Sequence, residues 1–246
     1  MNNYHFFNYD GSLMGLFTVI FDKYKILENS HIEPKKLEKD FFNDEVFVSS
    51  DKNKAMRVKK SILKNFGWDF LNKIVFVFSS FYKNKEDSIA KTLKGMYLYG
   101  KDYLYSSEKE PVNFLKIQKE LAREIHAYTG LLRFKEIEGG VLFAEFTPQN
   151  DILKFLMPHF KNRLQGEDFI IYDARRNYAA FYLKGELDYI FAKDFEINET
   201  KEEDKFRDLW REFYKSVSID ERKNTKLMTS NMPKKYWRYL PEKDKF

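Results

Sequence analysis

The sequence predicts an α+β fold: a helical N-terminal half, then a mainly antiparallel sheet backed by helices, with a helical basic C-terminal tail. Apolar residues recur at helical spacing through most of the first hundred positions. From residue 131 onward, short alternating stretches separated by Gly-containing turns are typical of strands. We therefore expect three regions, 1–108, 109–197 and 198–246, which pack as one compact unit.

The N-terminal region is expected to begin with a short strand and a capped helix. Residues 4–9 alternate loosely and stop at Asp10-Gly11, a strong turn pair. Ser12 can then cap a helix that carries apolar side chains at helical spacing from Leu13 onward. The elements expected next are a polar connector at 33–44, a brief strand at 45–49, a basic amphipathic helix at 51–66, and helical segments at 67–81 and 86–104. Residues 74–78 fit a buried strand equally well.

The middle region is expected to contain one long helix followed by the sheet. Pro111 suits the first turn of a helix that ends at Gly130. Its core stripe is Phe114, Ile117, Leu121, Ile125 and Tyr128, with spacings of three and four. The elements expected after it are strands at 131–135 and 141–146, a helix at 151–164, and strands at 169–172, 178–183 and 187–191.

The C-terminal region carries the positive charge. The chain has 43 basic and 38 acidic residues, a net charge of +5. Residues 213–246 hold nine basic and four acidic side chains, so they alone account for that excess. A helix is expected over 205–217, ahead of this tail. Such a tail favours an anionic partner because it neutralises phosphates and releases counterions, although a solvated basic surface would have the same composition.

Composition excludes several classes of chemistry. The chain has no cysteine, so it can form no disulfide, thiolate zinc site or cysteine-held iron–sulfur cluster. Its four histidines occur in no tight metal-binding motif, and no nucleotide-binding glycine loop is present. We therefore expect no metal and no cofactor. The longest apolar run, about nine residues, is too short to span a membrane, and we expect a cytoplasmic protein with no membrane partner.

Two helical clusters are candidates for chemistry. Arg123, Glu124 and His126 share one helical turn; Arg123 and His126 fall on the face opposite the core, while Glu124 borders the core stripe. They can bind a phosphate or relay a proton, or simply form an exposed polar face. His159 and Arg163 are four apart near a helix end, where the helix dipole by itself favours cations.

The turn between two strands carries a third cluster. Asp173, Arg175 and Arg176 can present two guanidinium groups for bidentate phosphate contacts, with Asp173 orienting one of them or acting as a base. Turns also favour Asp for conformational reasons. In the tail, basic residues alternate with Tyr236, Trp237 and Tyr239, a pattern that suits nucleic acid or a terminal helix packed on the body.

A set of short sequence motifs occurs in a fixed order through nearly the whole chain. They are Tyr9-Asp10-Gly11-Ser12, Arg123-Glu124-x-His126, Gly130-Leu131-Leu132-Arg133-Phe134, Ala144-Glu145, Pro148-x-x-Asp151-Ile152-Leu153, Pro158-His159-Phe160-x-x-Arg163, Asp173-x-Arg175-Arg176, Tyr178-Ala179, Trp210, Tyr214, Ile219, Glu221-Arg222-x-Asn224 and Pro233-Lys234-Lys235-Tyr236-Trp237. Together they resemble a bacterial family of unknown function whose members are described as probable DNA metabolism proteins. Thr225 is a departure from the family pattern, because the tail of that family typically has Pro after the Asn.

The resemblance implies a context and no catalytic residues. Members of that family are encoded beside a radical SAM protein thought to modify or repair DNA, and some are fused to a uracil-DNA-glycosylase-like domain. This chain has no such domain and no cysteines for the radical SAM cluster. The resemblance therefore implies DNA, a radical SAM protein and a uracil-DNA-glycosylase-like protein as partners.

The leading hypothesis is a DNA-binding accessory or subunit in repair or modification. The residues expected to contact nucleic acid are Arg123, Arg133, Arg163, Arg175, Arg176, Arg222, Lys223, Lys234, Lys235 and Arg238. One alternative is a DNA-acting hydrolase, a nuclease or glycosylase, with Glu145 or Asp173 as base and His126 or His159 as acid. Those four side chains would then share one cleft. A second alternative is a protein-binding adaptor.

Overall fold

The computed structural model describes residues 4–35, 45–191, 193, 208–209, 212 and 225–240. The chain divides into two units, Met1–Ala122 and Arg123–Phe246. Both combine helices with a sheet, which confirms the predicted α+β class. The predicted boundaries near residues 108 and 197 stay a prediction. None of the described helices is both long and apolar enough to cross a membrane.

The first unit contains a parallel sheet of three strands in the order β2-β1-β3. These are β1 (His5–Tyr9), β2 (Ser30–Pro34) and β3 (Glu45–Phe47). The strands predicted near β1 and β3 are confirmed. The sequence does not predict β2, because its residues Ser-His-Ile-Glu-Pro are few, mostly polar and closed by proline.

Tertiary contacts explain why so polar a segment forms β2. Asp87 on a neighbouring helix accepts a hydrogen bond from the backbone N–H of Ile32 at 3.0 Å. Its second oxygen lies 2.6 Å from Nδ1 of His31. The hydrogen bond to Asp87 raises the pKa of His31. The pairing with β1 holds this edge strand in the sheet, and a carboxylate 55 residues away in the sequence satisfies one of its backbone donors.

Helices cover the sheet of the first unit. They are α1 (Leu13–Lys23), α2 (Lys52–Phe78), α3 (Lys85–Tyr99) and the start of α4 (Lys109–Leu131), with 3-10 turns at Tyr24–Asn29 and Lys101–Tyr105. Ser12 caps α1 as predicted, since its hydroxyl accepts a hydrogen bond from Gly15 N at 2.9 Å. Residues 74–78 are helical, so the strand alternative for them is wrong. Gly67 interrupts α2 with φ 83°, a value that favours glycine.

The second unit contains a sheet of five strands in sequence order. They are β4 (Lys135–Ile137), β5 (Val141–Phe146), β6 (Phe169–Asp173), β7 (Tyr178–Leu183) and β8 (Glu186–Phe191). All neighbouring pairs are antiparallel except β5 and β6, which are joined through α5 (Leu153–Arg163). The predicted mainly antiparallel sheet is confirmed, and the helix between β5 and β6 accounts for the parallel pair.

The end of α4 differs from its predicted position, and the C-terminal region is described only in part. α4 extends to Leu131, so the strand predicted from that residue begins only at Lys135. The described C-terminal segment forms α6 (Thr225–Asn231) and a 3-10 turn at Lys234–Tyr239. The helix predicted over 205–217 lies almost wholly outside the described residues.

A close approach in the first unit requires glycine. Gly95 lies in α3, and a Cβ atom built there would overlap the ring of Tyr103. We expect Gly95→Ala to lower the free energy of unfolding by about 1–3 kcal/mol, because the packed ring must move. Urea denaturation followed by circular dichroism measures this change.

Gly130 in α4 provides the matched control. A Cβ there would meet nothing within 4 Å, so Gly130→Ala should stabilise the chain by up to about 1 kcal/mol through helix propensity. Equal effects of the two substitutions would contradict the packing assigned to Gly95.

Candidate nucleic-acid interface

Glu124 is a buried carboxylate on α4. Its side of the helix continues the core stripe, and the residue is only 5% exposed. Glu124 Oε1 accepts a hydrogen bond from Gln149 N at 2.9 Å. Glu124 Oε2 accepts from the backbone N–H and the side-chain amide of Asn150, at 3.1 and 2.5 Å. These donors compensate for burying the charge, and they fix the loop after β5 against α4.

Asp173 at the end of β6 is the second buried carboxylate, with an exposure of 0%. Its Oδ1 accepts hydrogen bonds from the backbone N–H groups of Arg175 and Arg176, at 3.0 and 3.3 Å. Its Oδ2 accepts from Arg176 Nη1 at 2.8 Å. Burial raises the pKa of Asp173, while the hydrogen bond and charge of Arg176 oppose that rise.

Arg176 links the two carboxylates through the same loop. Besides Asp173, its guanidinium donates to Pro148 O at 3.3 Å and to Gln149 O at 2.6 Å. The loop is therefore held by Glu124 through its N–H groups and by Arg176 through its carbonyls. We call Glu124, Gln149, Asn150, Asp173 and Arg176 the Glu124 junction.

The C-terminal segment reaches this junction. Lys235 Nζ lies 4.0 Å from Glu124 Oε1. Tyr236 is buried, and its ring meets that of Tyr128 edge to face at a centroid distance of 4.9 Å. Burial raises the pKa of Tyr236 to about 12, so its hydroxyl stays protonated at neutral pH. The hydroxyl of Tyr239 donates to Glu145 Oε1 at 3.2 Å. These contacts dock the segment on β5 and α4.

The cations of this segment are exposed while two of its apolar side chains are buried. Lys234, Lys235 and Arg238 are exposed, whereas Tyr236 and Leu240 are buried. The alternation of basic and aromatic residues in the sequence predicts such a division. It leaves the charges available to a partner while the buried side chains anchor the backbone.

A second group of cations lies at the C-terminal end of α4. Arg133 Nη1 donates to Gly130 O at 2.8 Å, and Arg163 Nη1 donates to Thr129 O at 3.3 Å. Both arginines thus bind helix-terminal carbonyls, as the helix dipole favours. Arg163 and His126 are exposed. His126 precedes Thr129 by one turn of the same helix, and its carbonyl accepts a hydrogen bond from the Thr129 hydroxyl at 2.7 Å.

Of the residues predicted to contact nucleic acid, those that the structure describes lie in three places. Arg175, Arg176 and Lys235 lie at or beside the Glu124 junction, and Arg123 precedes Glu124 on α4. Arg133 and Arg163 lie at the end of α4, and Lys234 and Arg238 on the C-terminal segment. Arg222 and Lys223 lie outside the described residues.

The four catalytic candidates do not form one hydrogen-bonded set. Within the described ranges, neither His126 nor His159 makes a hydrogen bond or ion pair with Glu145 or Asp173. His159 instead meets the ring of Phe160 at 4.9 Å. Among these same residues, no three His, Asp or Glu side chains are grouped as a metal site requires.

One feature of the sequence indicates a buried carboxylate at this site. Glu124 borders the apolar stripe of α4, and a carboxylate at such a position needs donors when the helix packs. Nothing in the sequence shows that those donors are Gln149 and Asn150. The roles of Tyr128, Tyr236 and Tyr239 likewise depend on tertiary contacts between residues far apart in the chain.

The fold and these contacts define an α+β protein with a buried acidic junction and exposed cations on the elements that meet there. Residues 83–242 match the model of the domain of unknown function DUF4130. The match covers well over half of the chain, so this protein belongs to that family. No curated protein matches the chain. The sequence motifs predict membership of a family of unknown function, and this match confirms it.

The Glu124 junction makes a testable prediction about stability. We expect Glu124→Gln to lower the free energy of unfolding by about 2 kcal/mol. The amide NH2 group that replaces one carboxylate oxygen would face a backbone N–H, which would then have no acceptor. Glu138→Gln, at an exposed position of the same unit, should change it by less than about 0.5 kcal/mol. Urea denaturation compares the two variants, and equal stabilities would contradict the role assigned to Glu124.

Proposed function

We propose that this chain is a cytoplasmic DNA-binding accessory protein that acts with a radical SAM partner in DNA repair or modification. One observation carries the proposal. Exposed Arg175 and Lys235 belong to separate elements that meet at the Glu124 junction, and α4, which carries Glu124, also carries Arg123 on its exposed face. The three elements that meet at the junction thus each carry an exposed cation.

Internal pairing of the acids supports this proposal. Asp173 is bound by Arg176, and Glu124 is satisfied by Gln149 and Asn150. Both carboxylates are buried, so they present little negative charge to a partner. Arg176 is occupied by Asp173 and two carbonyls, and we assign it to positioning the turn while Arg175 contacts phosphate.

The partners in this proposal derive from the family resemblance. The sequence contains no cysteine that could hold a radical SAM cluster, so the proposal assigns that chemistry to the radical SAM partner. Removal of a damaged base would be the task of a uracil-DNA-glycosylase-like protein. The accessory protein would contribute affinity for the DNA backbone, because exposed cations provide the electrostatic part of the binding free energy.

The contacts give no reason to prefer the hydrolase alternative. Asp173 is buried and engaged by Arg176, and Glu145 accepts a hydrogen bond from Tyr239. A general base must reach the proton that it abstracts, and Asp173 has no exposed surface. A protein-binding adaptor would use the same cations without any affinity for DNA.

DNA binding is tested by removing three of these charges together. The triple variant Arg123→Gln, Arg175→Gln, Lys235→Gln should bind single- and double-stranded oligonucleotides at least about tenfold more weakly. On duplex DNA, the slope of log affinity against log salt should fall by about 0.9 for each phosphate that the variant no longer neutralises. Gel-shift titrations at two salt concentrations measure both quantities.

A variant of equal charge provides the control. Lys60→Gln, Lys64→Gln, Lys101→Gln removes three exposed cations from the first unit and should leave the affinity within about twofold. If the wild-type chain shows no salt-sensitive binding, with or without the radical SAM protein, the proposal fails. Co-purification with that protein without retention on a DNA column would indicate the adaptor.

A further inference from the structure

The first unit contains a cavity that the proposed interface does not use. Its volume is about 470 Å³, which falls within the range typical of small-molecule sites. It is lined by Ile20, Phe21, Tyr24, Arg57, Val58, Ser61 and Tyr97. Helices α1, α2 and α3, together with the 3-10 turn after α1, supply these side chains.

Aromatic rings form much of the wall. The rings of Tyr24 and Tyr97 meet at a centroid distance of 6.4 Å and an angle of 71°. The ring of Tyr97 also packs on that of Phe66 at 4.9 Å, which restrains it. A wall of restrained rings suits a planar ligand, because stacking requires a flat partner and little reordering of the site.

Arg57 supplies the charge of the cavity. Among the described residues that line the cavity it alone is charged, and its guanidinium lies 4.7 Å from the centroid of the Phe21 ring. Nearby carboxylates are engaged elsewhere: Asp22 pairs with Lys54 at 2.9 Å and Glu28 with Lys94 at 3.1 Å. Across the part of the chain that the structure describes, no carboxylate pairs with Arg57. An anionic group on a ligand would complement it.

Ser61 adds a hydrogen-bond donor. Its hydroxyl oxygen accepts from the hydroxyl of Tyr97 at 2.7 Å and from Asn65 Nδ2 at 3.3 Å. Two accepted bonds occupy both lone pairs, so the remaining capacity of Ser61 is its own O–H. The cavity therefore combines flat apolar walls, one hydroxyl donor and one cation.

We propose that this cavity binds a single nucleotide. The base lies against Tyr24 and Tyr97, an acceptor on the base or sugar takes the proton of Ser61 in a hydrogen bond, and the phosphate pairs with Arg57. A free deoxynucleoside monophosphate and one nucleotide of a single strand share this chemistry. The inference rests on the proposed function only in the choice of deoxyribonucleotides, because the cavity residues are separate from the interface residues.

The test titrates the full chain with dAMP, dTMP and the corresponding nucleosides by isothermal calorimetry. We expect Arg57→Gln to weaken binding of the monophosphates roughly tenfold. Nucleosides should bind the wild-type chain more weakly than the monophosphates, with no further loss in the variant, since they lack the group that Arg57 contacts. Arg57→Lys should retain part of the affinity because it keeps the charge.

Lys60→Gln is the matched control, since it removes an exposed cation from the same helix outside the cavity lining, and it should leave nucleotide affinity unchanged. A competition experiment distinguishes the two sources of the nucleotide, a free monophosphate and a single strand. In the Arg123→Gln, Arg175→Gln, Lys235→Gln background, a single-stranded oligonucleotide competes with bound monophosphate for the cavity. Stronger competition than by free monophosphate identifies the strand, and weaker competition identifies the free nucleotide.

Two outcomes would overturn the inference. One is absence of binding by both the monophosphates and the oligonucleotide; the other is equal affinity in the wild-type chain and in folded Arg57→Gln. Neither outcome would affect the proposed DNA interface, which depends on Arg123, Arg175 and Lys235. Conversely, loss of that interface would leave monophosphate binding intact.

Discussion

A buried carboxylate that requires donors is the constraint on which the second unit depends. Glu124 lies at the border of the apolar stripe of α4, where an unpaired charge would cost far more than the fold can supply. The loop after β5 resolves this by presenting two backbone N–H groups and the amide of Asn150. Arg176 donates hydrogen bonds to two backbone carbonyls of the same loop. Once the loop is held on both sides, the turn after β6 is placed with it.

This arrangement separates the charges of the unit into an inner and an outer set. The acids Glu124 and Asp173 are inside, each with its own donors, and most of the cations on the same elements are outside. The C-terminal segment follows the same rule, because Tyr236 is buried while Lys234 and Lys235 just before it remain exposed. A net charge of only +5 over the whole chain is thereby compatible with a locally basic surface.

Local signals predicted much of the fold. Ser12 caps α1, and the stripe of Phe114, Ile117 and Leu121 is buried in α4 as its spacing indicates. Tertiary contacts decided the rest. β2 pairs with β1 and is fixed further by Asp87, which accepts a hydrogen bond from Ile32 N. The cavity around Arg57 arises where three helices and a 3-10 turn meet. The sequence likewise offers Arg175 and Arg176 as equivalent, and only the contact to Asp173 distinguishes them.

Hydrogen–deuterium exchange of the full chain, with and without a DNA duplex, tests the shared basic surface most directly. We expect DNA to slow exchange in three segments at once: residues 123–133, which include the end of α4, the turn 173–177, and the C-terminal residues 232–240. High salt should remove all three protections together, since they depend on one electrostatic contact surface. Protection of one segment alone, or protection that persists at high salt, would contradict a shared surface organised by Glu124.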